Sequence, residues 1–292
     1  MTMKIECCDI CMDKKIKSEM IGDYYPRCRN CLEENVYNYL LEDCDGWQEI
    51  IFLPNKNQNM HYGLEIEVCF PSQKTRDQAI NLCIQHLDYI YLKKDSTLDY
   101  GFEIVSHPAT LDYHKQHTFI RKILPKIKKI GGIADKKKNT GFHIHASRNK
   151  LTDDEIKKII FFIENYWYDL FPLFRREQVE IERYAERYYA ISWEEIDYIF
   201  YSTKSEGEKY RAINLTNKET IEFRMFRSSL NPAILLACLE LVDSFIQFAK
   251  RIDKDDICWE NYIALVQDKY DFLNPYINRM QKTKEGIDYV LI

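Results

Sequence analysis

The chain has 292 residues, of which 46% are hydrophobic and 14% aromatic, with only 9 glycines. This allows one large domain plus a small module and excludes a disordered or collagen-like chain. The net charge of −5, from 41 Lys/Arg and 46 Asp/Glu, excludes a general electrostatic footprint for nucleic acid.

Charge is uneven locally in one place. Arg121, Lys122, Lys126, Lys128, Lys129, Lys136, Lys137 and Lys138 form a basic run, which reads as the solvated face of a helix and its following loop. No apolar stretch approaches the ~20 residues that cross a bilayer. The opening Met1-Thr2-Met3-Lys4-Ile5-Glu6 lacks an apolar signal core. A cytoplasmic location is therefore expected.

In chain order, residues 1–45 stand apart as a module. Cys8-Asp9-Ile10-Cys11 and Cys28-Arg29-Asn30-Cys31 have the spacing of a closed tetrahedral Zn2+ site, with Cys7 a competitor for Cys8. A helix over Leu32–Leu41 would complete a ribbon or treble-clef-like knuckle. In so small a unit the metal supplies folding energy, and nucleic-acid or protein contact is left open only through this module. Cys69, Cys83, Cys238 and Cys258 are scattered through apolar or helical runs and read as small buried hydrophobes.

Residues 46–59 read as a linker, and a large domain spans 60–292. Strands are expected at about 62–70, 89–93, 101–106, 141–147, 210–216 and 220–227. Helices are expected at about 74–88, 110–130, 152–171, 193–200, 231–252, 258–269 and 273–283. The helix from 231 opens at Asn231-Pro232, a cap followed by proline in the first turn. Several strands alternate apolar and ionisable residues, whereas a parallel sheet buried on both sides would be apolar throughout. The expected fold is therefore α+β: a largely antiparallel sheet with helices on one face and an open catalytic face on the other.

Residues two apart on a strand share a face. Glu65 with Glu67, His143 with His145, and Glu222 with Arg224 should stand side by side, while Leu64, Ile66, Phe142, Ile144, Ile221, Phe223 and Met225 point into a core. Paired carboxylates suit Mg2+. The histidines could ligate metal or touch phosphate, or be a satisfied structural pair. Glu222 and Arg224 could be a simple ion pair, or Arg224 could clamp a phosphoryl or carboxylate group. Arg175-Arg176 ends an apolar helix and is a further phosphate candidate, unless it is only a solvated helix end. Each pair is weak alone. Their joint appearance on faces opposite uniformly apolar ones points to metal and phosphate chemistry.

Four ordered motifs carry a resemblance. They are Gly63-Leu64-Glu65-Ile66-Glu67; Asp95-Ser96 with Gly101-Phe102-Glu103-Ile104-Val105-Ser106-His107-Pro108; Thr140-Gly141-Phe142-His143-Ile144-His145; and Arg211-Ala212-Ile213-Asn214-Leu215 with Thr220-Ile221-Glu222-Phe223-Arg224-Met225-Phe226. Together, over roughly residues 60–250, the chain resembles the amidoligases, a family common in phages and bacterial genomes and related to glutamine synthetase and the carboxylate–amine ligases. Arg175-Arg176 with Tyr184-Ala185 looks like the family's middle motif. The resemblance implies an antiparallel sheet with a concave active face and an ATP-dependent ligase that forms an amide through an acyl phosphate. It further implies Mg2+ held by Glu65, Glu67 and Glu222, with Glu103 as a further metal or amine contact. His143 or His145 would complete a metal shell or touch phosphate. Arg224 would stabilise the transferring phosphoryl group, and Arg175, Arg176, Arg211 and Asn214 would contact the nucleotide. The substrates would be a small-molecule, peptide or protein carboxylate and amine, with no membrane involved. A composition rich in Lys, Ile, Asn and Tyr suits an AT-rich genome such as a phage's.

Two other readings stay open on sequence: a metal-dependent hydrolase using His143, His145 and a carboxylate, and a non-catalytic interaction protein built around the zinc module.

Overall fold

The computed structural model describes residues 50–54, 59–135, 140–202 and 209–284, together with the backbone of four short strands nearer the N-terminus. Those strands form two small antiparallel pairs, β1 (Ile5–Cys7) with β2 (Lys14–Ile16) and β3 (Met20–Ile21) with β4 (Arg27–Cys28). The rest of the proposed zinc set lies outside the described residues: Cys8, Cys11, Cys31 and the side chain of Cys28. So do the helix expected at Leu32–Leu41 and the lysines at 136–138.

The described core is a six-stranded sheet of β5 (Tyr62–Val68), β6 (Ile90–Lys93), β7 (Phe102–Ser106), β8 (Gly141–Ser147), β9 (Ile213–Asn214) and β10 (Thr220–Arg227). Its order is β6-β7-β5-β8-β10-β9 and every pairing is antiparallel. The fold is thus a mixed α and antiparallel β structure, as strand polarity suggests. The helices are α1 (Gln73–Cys83), α2 (Leu111–Gln116), α3 (Leu124–Lys129), α4 (Asp153–Asn165), α5 (Trp167–Phe174), α6 (Gln178–Tyr184), α7 (Trp193–Ser202), α8 (Pro232–Ala249), α9 (Trp259–Val266) and α10 (Asn274–Lys284).

Local chemistry explains most boundaries. Thr152 and Glu155 form a capping box at the start of α4, and Asn231 caps α8 ahead of Pro232. The helix expected over 110–130 is instead three pieces, because a π-helical turn at Phe119–Ile123 separates α2 from α3. The helix expected over 152–171 breaks at Tyr166 into α4 and α5. The strand expected at 210–216 shrinks to the two residues of β9, and α6 was not expected at all.

One sheet face is apolar: Tyr62, Leu64, Ile66, Val68, Leu92, Phe102, Ile104, Phe142, Ile144, Ile221 and Phe223 are all buried. Helix α8 crosses this face, and Tyr62 Oη donates to Asp243 Oδ1 of α8 at 2.6 Å. By length and apolarity α8 alone among the described helices could span a membrane, which the sequence reading did not anticipate; yet most of it is buried in the core. Phe162 of α4 packs on Phe245 and Phe248 of α8 and on Tyr262 of α9. Cys69, Cys83 and Cys238 are buried, as expected of small apolar groups, whereas Cys258 is only half-buried and caps α9, its Sγ accepting from the Asn261 N–H at 3.5 Å.

A buried histidine ties α2 to the sheet. His114 Nδ1 lies 2.6 Å from Tyr89 Oη and its Nε2 lies 2.7 Å from the Tyr62 carbonyl oxygen. A carbonyl can only accept, so Nε2 carries the proton and Nδ1 accepts from the tyrosine. Burial in this apolar setting pulls the imidazole pKa down to about 4. The unfolded chain takes up this proton near the usual histidine value of ~6.5, and the folded protein only near 4. This stabilisation is therefore complete above pH ~6.5 and lost as pH falls through the folded value, a loss on the order of 3 kcal/mol. Urea unfolding from pH 7.5 to 4.5 should show stability falling with pH. His114→Gln, which cannot titrate, should be less stable at pH 7.5 and show a clearly flatter slope. Parallel slopes for the two proteins would rule out His114 as the cause.

Candidate active site on the polar sheet face

The sheet register places the ionisable side chains in rows across neighbouring strands. One row runs Arg227, Gly141, Glu67, Glu103, Lys93; the next contains His143, Glu65, Val105 and Tyr91; a third runs Asn214, Glu222, His145, Gly63. Strand alternation, which buries the opposite apolar face, thus brings Glu65, Glu67, Glu103, His143, His145 and Glu222 onto one surface.

A bulge in β10 completes it. Phe223 pairs with Ile144 but Phe226 pairs with Phe142, so three steps on β10 match two on β8. Plain alternation would place Phe226 on the polar face and Arg227 in the core. The bulge reverses both: Phe226 is buried against Phe142 and Phe174, and Arg227 shares the row of Gly141.

The acids fall into two groups. Glu65, His143 and Glu222 each offer a ligand atom within 4.8 Å of the others, and so do Glu67, Asp95 and Glu103. Glu67 therefore sits with Glu103 and Asp95, rather than in one set with Glu65 and Glu222 as expected. In the first group His143 Nδ1 lies 3.3 Å from Glu65 Oε2 and 3.4 Å from Glu222 Oε1, and His145 Nε2 lies 3.4 Å from Glu65 Oε1. Burial pushes the Glu65 carboxyl up, but His145 and His143 together outweigh it and hold Glu65 well below the usual range. Desolvation works against the His145 charge, yet Glu65 and Glu222 raise its pKa overall.

The second group has an excess of negative charge. Burial, with the nearby charges of Glu65, Glu67 and Asp95, pushes Glu103 up to about 8 against the opposing pull of Lys93. Glu67 is also raised by burial, with partial relief from His143, the Gly141 N–H and Arg176. Glu103 Oε2 is buried without a hydrogen-bond partner, its ion-pair partner Lys93 Nζ being 3.5 Å away. Oxygen-rich donor sets with surplus negative charge and open valence fit hard divalent cations such as Mg2+ or Mn2+.

Cationic groups flank the acids on the β10 side. Arg224 Nη1 bonds to Glu222 Oε1, its Nε reaches the Tyr184 carbonyl at 3.3 Å, and its guanidinium lies 6.0 Å from the Tyr210 ring. Buried Arg176 donates from Nη1 to the Arg224 carbonyl at 2.9 Å, and its Nε has no hydrogen-bond partner. Burial lowers the Arg176 pKa, though Glu67 and Glu180 support the charge. Helix α6, which no pattern announced, carries Tyr184 and Glu180 to this edge, where Arg227 Nη2 meets Glu180 Oε2 at 3.1 Å. The helices are thus not confined to the apolar side of the sheet. Gly141 leaves room for both groups: a Cβ there would sit 2.8 Å from His143 Nε2 and 3.4 Å from Arg176 Nη1.

Of the remaining expected site residues, Asn214 donates from Nδ2 to Glu222 Oε2 at 2.6 Å and so orients an acid of the first group. Arg211 is placed differently, bonded to Glu186 Oε2 at 3.0 Å and to the Arg187 carbonyl at 2.9 Å. Arg175 also turns elsewhere. It adopts a left-handed backbone, φ 57°, at the end of α5, and lines a small apolar pocket with Leu173, Cys238, Leu241 and Tyr276. Sequence reasoning left Asp95 without a role and did not single out Lys93. Asp95 follows a strand within a turn, where only spatial closeness to Glu67 and Glu103 marks it.

The crowding of Glu67, Asp95 and Glu103 has a measurable cost. A carboxyl whose folded pKa is raised stabilises below its unfolded value and loses that contribution as pH rises through the folded value, here from ~4.5 toward 8. In chelator at pH 8, Glu103→Gln should therefore melt higher than the parent by about 3 °C or more. The gap should close toward pH 5. An unchanged or lower melting temperature at pH 8 would show that these charges are not in conflict.

Comparison with curated proteins finds no match. Residues 77–246, more than half of the chain, match the family described as "Putative amidoligase enzyme". The matched span begins after β5, so Glu65 and Glu67 lie outside it, although the sheet sets them between Glu103 and His143. With that match and a polar face to house its chemistry, this chain belongs to the amidoligase family, whose activity is of the ligase type.

Proposed function

We propose that the protein is an ATP- and Mg2+-dependent ligase that joins a carboxylate to an amine through an acyl phosphate. The observation that carries this reading is the pair of acidic groups side by side on one sheet face with Arg176 and Arg224 at their edge. A triphosphate bound with divalent cations needs that sequence of charges: anionic ligands for the metals, then cations for the phosphoryl oxygens.

Glu65, His143 and Glu222 would hold one ion, and Glu67, Asp95 and Glu103 a second. Metal held by these residues would supply positive charge against that of the phosphates. The chain's own residues supply the rest. Asn214 and Arg224 fix the Glu222 carboxylate from two sides. His145 stands against Glu65 and Glu222 and helps to hold the Glu65 carboxyl below its usual range. Arg224, anchored through Nε to Tyr184, would present its remaining donors to the transferring phosphoryl group, and Arg176 would extend that positive edge. Such fixed donors stabilise developing charge without reorganising during the reaction. The carboxylate and amine would meet above this face, positioned in line with the phosphate. Arg175 and Arg211, held in other contacts, take no part in this proposal.

A hydrolase built on Glu65, His143 and Glu222 would need metal and water alone, so nucleotide dependence separates the two readings. Thermal stability should rise with ATP and Mg2+ together, because a ligand that binds only the folded state stabilises it by mass action. Glu65→Ala and Glu222→Ala should each abolish that shift and any ADP release, with the far-UV spectrum unchanged. Full ADP release by both variants would sink the assignment, and metal-dependent hydrolysis without nucleotide would favour the hydrolase.

A further inference from the structure

Lys93 is the residue that links the two acidic groups. It lies on the edge strand β6 directly across from Glu103. Its Nζ is 3.5 Å from Glu103 Oε2, in the second group, and 3.9 Å from Glu65 Oε1, in the first. Both separations are long for a hydrogen bond, so charge rather than directed bonding holds the ammonium in place. The lysine side chain is half-buried, 31% exposed, and its flexible stem can swing without disturbing the strand. The position it occupies, between carboxylates of both groups, is where an incoming divalent cation would meet a competing positive charge.

We propose that Lys93 is an internal counter-ion: it bridges the two acidic groups in the metal-free protein, yields to a divalent cation at Glu67, Asp95 and Glu103, and then turns its ammonium to an anionic oxygen of the bound nucleotide. The inference rests on the metal-dependent ligase reading. It makes Lys93 a positioning residue that couples metal loading to nucleotide capture. A side chain that repels the metal and attracts the phosphate favours the order metal first, nucleotide second.

The test is Mn2+ binding to the whole protein, followed by the electron paramagnetic resonance of free Mn2+, for the parent, Lys93→Gln and Lys93→Arg. Removing a positive charge beside the site should tighten the weaker Mn2+ by about tenfold or more in Lys93→Gln. Lys93→Arg should bind like the parent. With Mn2+ saturating, a non-hydrolysable ATP analogue should bind Lys93→Gln about tenfold more weakly than the parent. Equal or weaker Mn2+ affinity in Lys93→Gln overturns the proposal while leaving the ligase reading standing. Tighter Mn2+ with unchanged nucleotide affinity overturns the transfer of Lys93 to the nucleotide. No Mn2+ binding to the parent at millimolar concentration overturns the ligase reading and this inference together. Circular dichroism of each variant separates these outcomes from misfolding.

Discussion

Mutual repulsion among buried carboxylates is the constraint around which this protein is arranged. Four acids, Glu65, Glu67, Glu103 and Glu222, share one face of a single sheet and Asp95 joins them from the turn after β6, and like charges at that range oppose folding unless something answers them. Each answer is a specific contact. Histidines stand against Glu65, an asparagine and an arginine against Glu222, a backbone N–H against Glu67, and Lys93 against Glu103. Such a face cannot be self-supporting. It depends on the apolar side of the same strands, where α8 and its aromatic neighbours bury the surface that offsets the charge. The two faces are one device, and β-strand alternation is what lets a single set of residues build both.

Much of this was legible in the residues. Gly63–Val68, Gly141–Ser147 and Thr220–Phe223 have period-two patterns strong enough to mark strand and face together, and the sheet has those faces as read. Long apolar or capped helices such as α4 and α8 were equally plain. What was not legible depended on contacts far apart in sequence. The π-turn before α3 and the break at Tyr166 interrupt otherwise continuous helical patterns. Helix α6, with its seven residues, carries too little periodicity to be seen, yet it supplies the anchor for Arg224.

The site residues divide along the same line. Strand-borne acids and histidines could be read because spacing alone sets their direction. So could Arg224, beside Glu222 on β10, but the arginines outside the strands could not, since a long side chain at a helix end or in a loop points where its partners are. Arg175 and Arg176 are adjacent, yet one lines an apolar pocket and the other bonds to the backbone of β10, because a left-handed residue lies between α5 and the site. Asp95 likewise acquires meaning only when a turn delivers it to Glu67 and Glu103.

The bulge in β10 has a consequence for how this strand can vary. It converts an odd spacing into an even one, so Arg224 and Arg227, three apart, face the same side while Phe223 and Phe226 face the other. Straightening the bulge with every residue kept would restore plain alternation beyond that point. It would send a guanidinium into a packed aromatic layer and a phenyl ring into the charged face at one stroke. A one-residue deletion at the bulge itself would leave Phe226 inside and Arg227 outside on a regular strand, but one elsewhere in β10 would exchange inside for outside along part of it. Within β10, a one-residue loss should therefore be tolerated at the bulge and not elsewhere in the strand.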